Sequence, residues 1–332
     1  MFKKYNSIEN TYREAFLNRI QHHGFWNDEY VVQEKVHGAN LSFWTTDGLT
    51  FHAAKRTAQL EMEERFYNFQ SVLATLQPKF ENIWTDLKGT YPELTQLTIF
   101  GELMGGSYPH PDVQRNSKAV KTQKGIFYSP NNEFFAFDIL LNRTDFLSVT
   151  AANELFEKEG LLYAKTIFKG PITKCLEHPN DFNSTIPADL GLPEITPNIV
   201  EGVIIRPVQP RFFNNGTRVI LKHKNEKWSE KNKSDKPVKP AVIYSEKVLQ
   251  LHEAVKAYIT ENRLDNVLSK IGEVTIKDFG KVLGLFNKDI LEDFQKDYEE
   301  VLATLEKKEQ KSINKSLGGI TAKMVRMRLV SL

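Results

Sequence analysis

The sequence predicts an α+β protein, with a sheet-rich N-terminal domain flanked by helices and a small all-helical C-terminal domain. Two observations carry this reading. Short apolar runs separated by turn residues recur up to about residue 223, and all fourteen prolines lie at or before Pro240, leaving a proline-free tail of 92 residues (332 minus 240). A chain of this length buries roughly three quarters of its unfolded surface, enough for a core without covalent staples.

The runs at 30–36, 41–45, 50–54, 97–103, 133–140, 200–206 and 217–223 read as strands. Segments 60–76 and 151–160 have helical spacing, and 108–130 and 171–197 read as loops or insertions. In the tail, Val248, Leu251, Val255 and Tyr258 share one helical face, as do Ile290, Phe294, Tyr298, Val301 and Leu305. A polar, proline-tipped stretch at 229–240 reads as a linker, which sets the domains at 1–238 and 242–332.

Cys175 is the only cysteine, which excludes an internal disulfide and a cysteine-based zinc site and fits a reducing compartment. No apolar run approaches the ~20 residues of a membrane span, and the start lacks the apolar stretch of a signal peptide. A soluble cytoplasmic protein with no membrane partner is expected. The net charge of +2 does not announce a nucleic-acid binder, so local charge must. From Arg218 to Lys239 eight basic residues (Arg218, Lys222, Lys224, Lys227, Lys231, Lys233, Lys236, Lys239) face three acidic ones. Such a segment suits a phosphate-rich partner, although a solvated lysine-rich linker has the same composition.

The segment Glu34-Lys35-Val36-His37-Gly38-Ala39-Asn40 puts Lys35 at a strand end, before a turn that Gly38 would permit. A lysine there can be a nucleophile if desolvation or nearby cations favour its neutral form. Lys-x-x-Gly alone is a weak signal, but it is followed in order by Lys55-Arg56-Thr57, Phe100-Gly101-Glu102-Leu103, Phe135-Ala136-Phe137-Asp138-Ile139-Leu140, Glu201-Gly202-Val203-Ile204-Ile205-Arg206 and Ile220-Leu221-Lys222-His223-Lys224. Lys222 and Lys224, two apart on a strand, put both ammonium groups on one face, as would any alternating exposed strand.

This ordered series resembles the motifs of the covalent nucleotidyltransferase superfamily of ATP-dependent ligases and capping enzymes. Within it the sequence is most similar to the bacteriophage-type RNA ligase 2 family, through Met1-Phe2-Lys3-Lys4-Tyr5, His37-Gly38-Ala39-Asn40, Lys224-Asn225-Glu226-Lys227-Trp228 and, more loosely, Asn262-Arg263-Leu264-Asp265. The resemblance implies an ATP-grasp-like ligase domain of antiparallel sheets. It also implies an ATP-dependent RNA ligase that joins a 3′-hydroxyl to a 5′-phosphate, with Mg²⁺, on nicked duplex RNA or an RNA–DNA hybrid, acting as a monomer. DNA ligases and capping enzymes usually append a strand-rich domain, which the helical tail does not resemble; a non-enzymatic RNA-binding module would lack the intact motif set.

Carried over residue by residue, the resemblance makes Lys35 the adenylated nucleophile. It assigns Glu34, Asn40, Arg56, Glu102, Phe137, Lys222 and Lys224 to ATP or AMP. Phe137, taken to share a strand face with Phe135, would stack on adenine; Glu102 would accept from the ribose; Glu34 would act through its backbone. Glu201 becomes the metal-linked carboxylate. Tyr5, His37, Lys55, Arg263, Asp289 and Asp293 become RNA-binding or second-step residues. One departure is Gln33, where members often carry arginine; if that arginine meets RNA phosphate, the interaction is missing here, and Arg115, Lys118, Lys121 and Lys124 offer substitute charge.

Overall fold

The computed structural model describes residues 2–228 and 246–331, so the expected linker, its lysines and the 238–242 boundary lie outside the described residues. The chain forms two compact units, Met1–Lys227 and Trp228–Leu332.

The first unit holds two sheets. One runs β1 (Glu9–Asn10), β11 (Leu221–Lys224), β10 (Gly202–Pro207), β2 (Glu29–Glu34), β9 (Thr166–Pro171), antiparallel except for the β1–β11 pair. The other runs β5 (Gln59–Leu60), β4 (His52–Lys55), β3 (Ala39–Thr45), β6 (Leu97–Gly105), β7 (Asn132–Leu141), β8 (Asp145–Phe146), all antiparallel. All seven expected strands are present. The edge strand β9 has no counterpart among the expected strands, because its side chains are mostly exposed or half-buried and give no apolar run.

Each sheet is covered on both faces, which is why its strands read as apolar runs rather than alternation. Helix α1 (Glu14–His22) packs Phe16 and Ile20 on the outer face of the first sheet, with Tyr30, Val32, Val203, Ile205 and Leu221, and α4 (Ile172–Leu176) adds Ile172 and Cys175. Helix α2 (Phe69–Thr90) packs Phe69, Val72, Phe80 and Ile83 on the outer face of the second. Tyr5, Phe100, Leu140 and Ile220 lie between the sheets, with Phe137 and Ile204 partly buried against them. Helices α3 (Val149–Lys158) and α5 (Ile186–Asp189) complete the unit.

The helix expected at 60–76 lies further along. Leu60 pairs with Ala53 as strand, and Asn68 at φ 58° precedes the first helical turn. The helix then runs through Pro78, whose missing N–H costs one backbone bond, because the buried stripe continues on both sides.

The second unit is helical throughout its described residues: α6 (Glu246–Lys256), α7 (Glu261–Ile271), α8 (Phe279–Asp297), α9 (Glu299–Ala303), α10 (Lys307–Ser316) and α11 (Gly318–Val330). Leu251, Val255, Tyr258, Phe286, Ile290, Phe294 and Val325 share its core. Tyr258 lies just beyond α6, and the face expected from Ile290 to Leu305 spans two helices, α8 and α9, with Tyr298 at the joint.

Candidate active site

Lys35 follows β2 directly, and its backbone N–H donates to Gly202 O at 2.9 Å. Gly202 in turn opposes Lys224 on β11, so Lys35, Gly202 and Lys224 form one row across three strands. Only glycine fits the middle of that row. Its φ is +145°, and a Cβ would stand 2.1 Å from His223 O and 2.7 Å from Lys224 Cα.

Glu201, the residue before that glycine, joins the row's two lysines. Its Oε2 accepts from Lys35 Nζ at 2.6 Å and its Oε1 pairs with Lys224 Nζ at 2.7 Å, while His37 Nδ1 lies 3.7 Å from Oε2. Burial alone would raise this carboxyl, but the Lys224 and Lys35 ammonium groups outweigh it and hold it well below the usual carboxylate range. Lys222 occupies the next same-face position of β11, opposite Ile204, and is half-buried.

The second sheet supplies the other wall. Gly38 is required here by close approach, since a Cβ would lie 2.4 Å from Leu103 O and 2.9 Å from Glu102 Cγ. Glu102 accepts from the Gly38 N–H, and Asn40 pairs with Glu102 across β3 and β6, its side-chain amide 3.4 Å from Gly101 O. Burial raises the Glu102 carboxyl to about 7, with the Glu201 charge adding to the rise and the fields of Lys35 and Arg56 opposing it. Arg56 donates to Asn6 O at 3.4 Å, while Lys55 is turned to an ion pair with Glu64 at 3.1 Å. Buried Tyr128, which the sequence did not single out, accepts the His37 N–H at 3.0 Å and so fixes the turn after Lys35.

Behind the lysines a charged network crosses between the sheets. Asp138 Oδ2 accepts from Tyr5 OH at 2.8 Å, Arg206 at 2.9 Å and Arg218 at 2.6 Å; Arg206 also donates to Gln33 Oε1 at 2.9 Å and Phe137 O at 2.7 Å. This network takes up two residues that the sequence singled out. Tyr5 is a buried strut within it, which places its hydroxyl on Asp138 rather than toward RNA. Gln33 is buried too, accepting from Arg206 and donating to Ala164 O, so its side chain is engaged between the strands rather than at the surface. The signal that could have found the network was a charge set among apolar neighbours at Asp138, Arg206 and Arg218, since a buried charge must be paired.

Phe137 sits at a bulge. Phe100 pairs with Asp138 and Gly101 with Ala136, leaving Phe137 unopposed and breaking the alternation from Phe135. Its half-exposed ring meets the Tyr5 ring edge-on at 5.0 Å. Glu34 turns its buried side chain away from the lysine, accepting from Thr185 N at 3.2 Å, and burial raises it to about 7. In the helical unit, the guanidinium of Arg263 is buried and paired with Asp289 at 2.6 Å and Asp293 at 3.0 Å. Those three residues brace α7 against α8, a use that surface reading of acidic helix residues misses.

No group of three His, Cys, Asp or Glu side chains able to hold a metal ion occurs among the described residues. The carboxylates of Glu201 and Glu102, near enough to influence each other, are the hard oxygen donors beside Lys35. Such a pair fits Mg²⁺, which commonly takes one or two carboxylates and completes its shell with water and nucleotide phosphates. No helix among the described residues is long and apolar enough to cross a membrane.

Two antiparallel sheets that bring two lysines onto one buried carboxylate, followed by a helical unit, define the class. Residues 28–224 match the RNA ligase family, and the chain belongs to it. Residues 242–323 match the T4 RNA ligase 2 C-terminal domain, which makes the chain a member of the RNA ligase 2 branch. It is 29% identical over 355 residues to the mitochondrial RNA-editing ligase 2 of Trypanosoma brucei brucei, covering 90% of this chain and 84% of that one. Among solved structures it is similar to a Naegleria gruberi RNA ligase with pyrophosphate (TM-score 0.43, 12% identity, 68% of this chain and 57% of that one). A variant of the same ligase with AMP and manganese gives a TM-score of 0.44 at 11% identity, with 68% and 57% coverage. The chain thus spans under two thirds of the Naegleria protein.

Proposed function

We propose that this protein is an ATP-dependent RNA ligase that works through an AMP adduct on Lys35. The observation that carries the reading is the shared grip of Lys35 and Lys224 on Glu201. That grip fixes the Lys35 Nζ beside a second cation at a point where little water enters, the side chains being 18% and 8% exposed.

In the first step the Nζ–Pα bond forms and the bond from Pα to the bridging oxygen breaks, releasing pyrophosphate. Attack needs the nitrogen lone pair, so an Nζ proton must leave; Glu201 Oε2, which already accepts from Nζ, is too acidic to keep it and relays it to solvent. Lys224 and Lys222, on one face of β11, neutralise α-phosphate charge as it builds. Glu102 receives the ribose, Asn40 sits beside it, and the exposed part of Phe137 faces the base. An RNA 5′-phosphate oxygen next attacks Pα and breaks the N–P bond, and a 3′-hydroxyl then attacks the 5′-phosphorus and displaces AMP. Mg²⁺ held by Glu201 would supply further charge neutralisation on the phosphates. The likeness to an RNA-editing ligase supports RNA as the polynucleotide, and the family resemblance supports a nicked duplex as its form.

The test is incubation with α-labelled ATP and Mg²⁺. An acid-stable label on the 38.2 kDa chain, absent from Lys35→Ala, is expected; no label, or label that survives the substitution, overturns the reading. Ligation of a nicked RNA duplex should exceed that of the same strands unpaired.

A further inference from the structure

Between β6 and β7 the chain makes a loop, residues 106–131, that carries four cations at every third position, Arg115, Lys118, Lys121 and Lys124. All four are exposed, and the loop's one acidic residue is Asp112. A loop whose only task is to connect two strands need not be held at many points. This one is. Thr122 N and Gly106 N donate to Gly105 O and Asn131 O, the Asn132 side chain clasps Val120 N and O at 2.9 and 2.7 Å, and Gln123 Oε1 accepts from Gly105 N at 3.0 Å. The Asn198 side chain brackets Phe127 N and O at 2.9 and 2.7 Å. The buried side chains of Thr122, Gln123 and Ile126 thus face inward while the cations between and before them face out.

The half-buried Phe127 ring carries Lys121 above it at 5.5 Å, and Lys227 Nζ reaches Gly125 O at 3.1 Å, bringing a further ammonium onto the loop. The next residue, Tyr128, accepts the His37 N–H, so the cationic surface ends against the turn of the reactive lysine.

We infer that residues 106–131 form a polynucleotide-docking surface, whose cations hold backbone phosphates of the strand led to Lys35. The inference rests on the proposed ligase function and assigns its substrate-binding surface. Cations that hold phosphates position a strand without reading its bases and release counterions, so they are visible in the salt dependence of binding.

The experiment uses the full chain without ATP or metal, and compares wild type with the triple variant Arg115→Gln, Lys118→Gln, Lys121→Gln on a nicked RNA duplex and on single-stranded RNA. Binding should weaken by roughly tenfold or more at low salt, and the slope of log affinity against log salt should shrink by about 2 to 3, since each phosphate no longer neutralised takes about 0.7 to 0.9 off the slope. Weakening on the duplex, the single strand or both supports the inference and identifies the bound form. Adenylation by labelled ATP should match wild type. Unchanged affinity and slope on both RNAs overturns the inference. So does parallel loss of adenylation, which would make the loop a support of the ATP site. Failure of the ligase function shows separately, as absent labelling of the wild type.

Discussion

Asp138 offers the sharpest test of how the site is held. One of its oxygens accepts three hydrogen bonds, from Tyr5, Arg206 and Arg218, while Oδ1 is buried with no protein partner. Asp138→Ala leaves two guanidinium groups, each 3% exposed, without their shared counter-charge. Removing one partner of a buried ion pair typically costs about 3–5 kcal/mol. Asp138→Asn is gentler, because the amide nitrogen can take the place of the unpartnered Oδ1 and leave all three bonds on the oxygen. Only the charge is lost, and roughly half the cost is expected, since hydrogen bonds to charged groups contribute about twice what neutral ones do. For a unit of this size about 1 kcal/mol moves the midpoint by 2–4 °C, so alanine should lower it by about 6–20 °C and asparagine by about half that. Thermal unfolding followed by circular dichroism reads both. If each variant shifts the midpoint by less than about 3 °C, the network is not what joins the sheets.

The remaining predictions concern pH and backbone. Glu34 and Glu102, whose ordinary value is 4.5, are both raised to about 7, so between those limits the folded protein keeps protons that the unfolded chain has lost. Their contribution is therefore full below about 4.5 and falls as pH rises through 7, on the order of 3 kcal/mol each. Urea denaturation from pH 5 to pH 8 should show this decline, with Glu34→Gln flattening about half of it; a stability that rises over this range would contradict the burial argument. Glu201 has the opposite sign, and its contribution is lost only as the solution becomes strongly acidic. Gly202→Ala should cost about 3 kcal/mol or more and abolish adenylation, because overpacking adds to backbone strain. Gly216→Ala is the control, having φ 78° but nothing within 4 Å of its Cβ, and should cost only about 1 kcal/mol with adenylation intact.

Gln33→Arg puts the common family residue into this chain. If position 33 served RNA, the change would strengthen RNA binding. The geometry predicts a loss of stability of about 2 kcal/mol or more instead, since a second guanidinium would press on Arg206 where Gln33 now accepts its Nε. Tighter RNA binding at unchanged stability would reverse that assignment.

Much of the chemistry was legible because strand order and residue type are local properties. Lys35, Glu201, Lys222 and Lys224 sit at strand ends that apolar runs delimit, and the register joins them. What stayed hidden depends on partners far apart in the chain. Phe135 and Phe137 read as one face by simple alternation, and only the bulge opposite Phe100 shows that Phe137 and Asp138 both turn toward the first sheet. Tyr5, 133 residues from Asp138, gives no sign of burial in a polar N-terminal segment. Arg263 looks like a surface residue of an amphipathic helix until Asp289 and Asp293 close over it. In each case the missing fact is which charges share a counter-charge. In the first unit, buried ions gather around Glu201 and around Asp138, and the two sets differ in one respect. The first leaves an ammonium group partly exposed, as the proposed adenylation requires, and the second encloses both of its guanidinium groups, as a tie between the sheets requires.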